Sequence, residues 1–151
     1  MNKEKRIWIV LFLALTLMLI LSGCSGLPKT AKLNISIDPN PVPCSSEDGK
    51  WYCTMTISES NGVGVTLTSV RNDSYDQAGQ LYRTQFLYEE DIIDWFGSNY
   101  IPAFSMLQSG IVWSSSSSSS SSRKYIAVTI EGVDDNENLI EATGRVDLLP
   151  Q

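Results

Sequence analysis

Histidine is absent from this chain of 151 residues. That absence removes Ser-His-Asp and Cys-His catalysis together and takes away a common nitrogen ligand for zinc. Basic residues are scarce: 11 Lys and Arg stand against 17 Asp and Glu. A surface of that sign repels phosphate backbones, so nucleic acid is not an expected partner. No glycine-rich phosphate loop occurs, and helical periodicity is almost missing. Cysteine is rare at three residues, and their spacing fits no zinc pattern. One long apolar run exists, IWIVLFLALTLMLIL from Ile7 to Leu21, and what stands at its two ends gives it meaning.

Before the run comes MNKEKR, with three cationic side chains; after it comes Leu21-Ser22-Gly23-Cys24. As a helix the run would span roughly 22 Å, short of the ~30 Å hydrocarbon core. A basic start, a short apolar middle and small residues at the end describe a secretory signal rather than a retained membrane span. The four residues Leu21 to Cys24 resemble the lipobox of bacterial lipoproteins. The resemblance implies a signal peptide over residues 1–23, cleavage after Gly23 and lipid on the Cys24 thiol, as palmitate or a similar chain. One acyl chain anchors only marginally, so two or three are expected. The expected address is extracytoplasmic, on the outer membrane or the outer face of the cytoplasmic membrane, with the bilayer itself as a partner. Ser25, in place of the Asp that often marks inner-membrane retention in this family, permits either.

Cleavage would remove Lys3, Lys5, Arg6 and Glu4, leaving 8 basic and 16 acidic side chains and a net charge of −8. Two cysteines would remain, Cys44 and Cys53, an even number in an oxidising compartment. A disulfide closing this short ring is expected, contributing roughly 2.5–3 kcal/mol in the chain-entropy model. The alternative is two reduced thiols, with Cys53 as a small core residue.

Residues 24–32 read as a lipidated tether, and 33–149 as one domain. From Leu33 onward the apolar period is two. LNISI (33–37), WYCTMTIS (51–58), VGVTLTSV (63–70), LYRTQFL (81–87), SGIVW (109–113), KYIAVTIE (124–131) and LIEATGRVDL (139–148) all read as strands. EEDIIDWF (89–96) reads as a short helical turn with acids at its start, as the helix dipole favours. Seven strands and little helix predict an all-β sandwich. Asn61-Gly62, VTLTSV (65–70), YDQAGQL (75–81) and the turn GVDDNEN (132–138) resemble bacterial immunoglobulin-like surface domains. That resemblance implies an immunoglobulin-like fold, although Cys44 and Cys53 stand too close for the long inter-sheet disulfide of antibody-type domains.

Candidates for chemistry are few. Glu89, Glu90, Asp91 and Asp94 form the densest acid group, and a solvated helix start explains them better than a hydrolase pair. Cys53 lacks a base to activate it. Asp134, Asp135 and Asn136 offer oxygens to Ca²⁺ without the spacing of an EF-hand, so a plain acidic turn is preferred. Trp95, Tyr100 and Trp113 could form an aromatic platform for sugar, against the alternative that Trp95 and Phe96 plug one end of the sandwich. The nine serines Ser114 to Ser122 read as an inter-strand loop, with an alternative in which the first few extend the preceding strand. The expectation is a non-catalytic, cofactor-free binding or structural module with an envelope protein or glycan as partner. Carbohydrate binding is the second reading, and an enzyme the least favoured.

Overall fold

The computed structural model of the chain describes residues 29–114 and 123–149. Signal peptide, Cys24 and Ser115 to Ser122 lie outside the described residues. The described residues are all-β apart from one short helix. Eight strands are described: β1 (Leu33–Asp38), β2 (Lys50–Glu59), β3 (Val65–Asp76), β4 (Leu81–Tyr88), β5 (Tyr100–Ile101), β6 (Met106–Ser114), β7 (Arg123–Asp134) and β8 (Leu139–Asp147). Helix α1 (Glu89–Phe96) follows β4 directly.

Two antiparallel sheets face each other. One has three strands in the order β1-β2-β6; the other runs β4-β3-β7-β8, with β5 paired to the start of β3. The period-two pattern sets the sides. On β2, Trp51, Cys53, Met55 and Ile57 turn inward and are buried, while Tyr52 is exposed and Thr54, Thr56 and Ser58 are half-buried on the opposite face. They meet Val65, Leu67 and Val70 of β3, Ile126, Val128 and Ile130 of β7, and Val146 of β8 in one core. Burying each of these side chains contributes about 1.5–3 kcal/mol before chain entropy is subtracted.

The two lateral edges of the sandwich differ. Along the β1/β8 edge the sheets touch: Gly144 of β8 faces Ile35, and a Cβ there would stand 3.0 Å from that side chain. Along the β6/β4 edge the sheets part, and α1 covers the gap, packing on β3, β4 and β6. Helix α1 starts where the Tyr88 N–H donates to Asp91 Oδ2 (3.1 Å) and stops at Gly97, left-handed at φ 76°, whose N–H donates to the Ile93 carbonyl at 2.7 Å.

The ends also differ. At one pole lie Lys29 to Lys32, the link from Ser60 to Gly64, the link from Pro102 to Ser105 and the β7–β8 turn; this is the N-terminal pole. At the far pole lie the link between β1 and β2, the β3–β4 turn and Leu148–Leu149. There Val42 bridges Leu148, and the Trp51 indole N–H donates to the Leu149 carbonyl at 2.9 Å.

Several expectations change. Residues 29–32, expected as tether, belong to the folded body, as shown below. β5 was not expected. β3 runs six residues past Val70, through a stretch rich in turn-forming residues. β6 begins three residues before Ser109 and includes Ser114. Cys44 and Cys53 are free thiols, so the expected disulfide is absent. The register gives the reason: Cys44 bridges Trp51, not Cys53. A diagonal offset of two residues puts Cα atoms roughly 7–8 Å apart, beyond the reach of an unstrained disulfide. Burial raises the Cys53 thiol to about 11, which keeps it protonated and un-nucleophilic.

Candidate functional site

The parted edge makes a cleft. Its floor is the inward face of β3 and β4 beyond the apolar core, where Asn72, Ser74, Arg83 and Gln85 replace aliphatic residues. Its walls are Trp95 of α1 and Val112–Trp113 of β6. The enclosed volume is about 210 Å³, room for a few heavy-atom groups of a ligand. A second hollow on the other side of Trp95 is lined by Asp94 and residues 109–112 of β6. Trp95 therefore stands between two depressions, half-buried, with Trp113 buried beside it.

The floor is unusual for a sandwich interior. Asn72 is 4% exposed, and among the described residues its Oδ1 has no hydrogen-bond donor. A buried amide oxygen without a partner costs about 1–3 kcal/mol. Ser74, opposite Arg83 in the β3–β4 register, is buried as well. Arg83 makes no ion pair among the described residues; the ion pairs found there join Lys50 to Asp48, Arg71 to Asp73 and Arg145 to Asp147. One cation, two amides and a hydroxyl beside two indoles suit a ligand with both hydroxyl groups and an apolar face.

The structure brings Trp95 and Trp113 together and leaves Tyr100 out. Tyr100 pairs with Thr66, about 20 Å along β3 from Asn72, and its hydroxyl donates to Asp135 at 3.2 Å. Phe96, not Trp95, is the aromatic side chain of α1 that enters the core. Asn72, Ser74, Arg83 and Gln85 escaped sequence reasoning. The available signal was polar residues continuing at inward positions of strands, which resembled the end of a strand.

Asp134, Asp91 and Glu89 are occupied with structure, while Asp94 lines the second hollow. Asp134 is buried and accepts from the backbone N–H groups of Ala31, Asn136 and Asn138 and from Asn138 Nδ2. Burial pushes its pKa up, but those donors outweigh it and hold the carboxyl below its ordinary range. A carboxylate surrounded by N–H donors offers little to a cation, so Asp134, Asp135 and Asn136 build a turn. Among the described residues no three His, Cys, Asp or Glu converge as metal ligands. Asp91 caps α1, and Glu89 accepts from Asn99 Nδ2 at 3.2 Å.

No family model and no curated protein matches the chain. Among solved structures, it is similar to a putative ApaA protein from Bordetella pertussis (10% identity, 80% of this chain and 96% of that one, TM-score 0.49). It is similar to the CARDB domain of the PF1109 protein from Pyrococcus furiosus, solved in complex with di-metal ions (17%, 83% and 95%, TM-score 0.40). A third is Spo0M, a sporulation control protein from Bacillus subtilis, of which the chain spans about half (9%, 82% and 51%, TM-score 0.43). None of these three reaches a TM-score of 0.5, and no residue role is carried over from them.

Proposed function

We propose that the protein is a lipid-anchored, extracytoplasmic binding module of immunoglobulin-like type that holds a hydroxyl-rich ligand, a carbohydrate, in the cleft under α1 without acting on it. The observation that carries this reading is the buried Asn72 Oδ1, without a donor among the described residues, in a cleft walled by Trp95 and Trp113. A sugar hydroxyl would supply the missing donor, and a sugar's apolar face would stack on an indole. Anchoring rests on the lipobox sequence ending in Cys24. The immunoglobulin-like assignment is supported by the strand order: the first two strands share a sheet with the sixth, and the third and fourth with the last two. The non-catalytic assignment is supported by the structural employment of Asp91, Glu89 and Asp134, as helix cap, partner of Asn99 and turn anchor.

Titrating the full-length lipoprotein in detergent with a panel of neutral and acidic oligosaccharides tests the reading, with tryptophan emission as the signal. Binding should shift emission and saturate, and Trp95→Ala should weaken it at least tenfold. A panel that leaves the emission unchanged removes the carbohydrate reading.

A further inference from the structure

The N-terminal pole is built as a rigid cap, and its outer rim is apolar. Two buried carboxylates organise it. Glu59 accepts from the backbone N–H groups of Lys32 (3.1 Å), Asn61 (2.6 Å), Gly62 (2.8 Å) and Phe104 (3.0 Å). Asp134 accepts from Ala31 N–H at 3.0 Å. Asn61 Nδ2 and Asn136 Nδ2 donate to the carbonyls of Thr30 (2.6 Å) and Lys29 (2.7 Å). The incoming chain is thus fixed residue by residue from Lys29. On the rim of this pole, three large apolar side chains point to solvent: Phe104 (72% exposed), Met106 (62%) and Leu139 (88%). Phe104 is held in place, left-handed at φ 55°, with its ring against Gly62; a Cβ at Gly62 would stand 2.5 Å from it. Leu139 is the first residue of β8, opposite Val133 beside the β7–β8 turn.

Only five backbone steps separate Cys24 from Lys29. Fully extended they reach roughly 17–18 Å, and the head-group layer takes up about 5–7 Å of that. Given the lipid-anchor reading above, on which this inference rests, the pole cannot stand more than about 10–13 Å off the head groups. We infer that the N-terminal pole is a membrane-contact surface, with Phe104, Met106 and Leu139 seated in the interfacial layer of the bilayer that holds Cys24. The lipid it fits is zwitterionic: Lys29 and Lys32 at this pole are balanced by exposed Asp135 and Glu137, so no basic patch selects an anionic surface. Apolar tips that enter the interface convert a swinging tether into a fixed stance.

Photo-crosslinking on the full-length lipoprotein in phosphatidylcholine vesicles tests this. Benzoylphenylalanine replaces Phe104, Leu139 or, in the far-pole turn, Ala78, and mass spectrometry reads both lipid adducts and the state of Cys24. Adducts at positions 104 and 139 at least fivefold above position 78 are expected. Lipidated Cys24 without adducts at 104 and 139 overturns the inference and leaves the anchor standing; equal adducts at all three positions overturn it as well. A bare Cys24 thiol removes the anchor and the inference with it. Unchanged tryptophan emission in each variant shows that the fold is intact.

Discussion

Glu59 is a carboxylate placed where the chain needs an acceptor, and its effect can be measured with acid. Burial alone would raise its pKa, but the N–H groups of Phe104, Asn61, Lys32 and Gly62 hold it at about 2, against an ordinary 4.5. The unfolded chain therefore takes up this proton first as pH falls. The stabilisation is complete above about pH 4.5 and is lost on the way down to about 2. Chemical unfolding midpoints measured from pH 6 to pH 2 should fall in that window, and Glu59→Gln should flatten the fall while lowering stability at pH 7 by roughly 1–3 kcal/mol. Asn72 makes the opposite case. Its Oδ1, unpaired among the described residues, is a cost to the fold, so Asn72→Leu should raise stability by about 1 kcal/mol while abolishing ligand binding. A variant that both loses stability and keeps binding would show that the Asn72 amide serves packing instead. Neither residue was legible in the sequence. A lone Glu at a strand end and a lone Asn in RNDSYD have no periodic signature, because their roles depend on which backbone amides the fold brings to them.

Strands were legible where they face the core and illegible where they leave it. Alternation from Trp51 to Ser58 matches β2 because every second side chain there is buried. β3 was cut short at Val70 because Arg71 to Asp76 carry turn-forming residues; these are in fact strand, with Asn72 and Ser74 directed at the cleft. The two residues of β5 are too few for any period to register. Helix α1 is the element whose bounds the sequence marks best, through its acidic first turn and Gly97. The asymmetry between the two edges has a residue-sized cause. Gly144 lets β8 approach Ile35 closely, whereas Gly110, on the outer face of β6 at the other edge, has open space around it. Gly144→Ala should therefore cost about 1–3 kcal/mol by overpacking, and Ile35→Val in the same chain should recover part of it. Gly110→Ala should change stability by less than about 0.5 kcal/mol. Urea midpoints for the three variants measure this, and equal losses at Gly144 and Gly110 would mean that the sheets do not rely on close approach at the β1/β8 edge.

At the scale of the whole molecule, the two ends divide the work. The chain is clamped at one pole by Glu59 and Asp134, and the cleft opens in the half toward the other, where Ser74 and Arg83 pair next to the β3–β4 turn. From Val65, at the N-terminal pole, to Asn72 is roughly 23 Å along β3. The sequence pointed to the proposed anchor through four residues and to the class of fold through its period, but not to this polarity, because the residues that set it are separated by tens of positions: Ala31 from Asp134, and Asn72 from Trp113. The polarity has a functional consequence. If the N-terminal pole rests on lipid, the cleft stands clear of the surface and its ligand meets no barrier there. Affinity measured by tryptophan emission should then be the same, within about twofold, for the lipoprotein in detergent and on phosphatidylcholine vesicles. A membrane lying against the cleft edge would instead exclude the ligand and weaken binding on vesicles by tenfold or more. That result would require the molecule to lie on its β4/β6 side, with the exposed Tyr82, Phe86 and Tyr88 of β4 as the contact in place of Phe104 and Leu139.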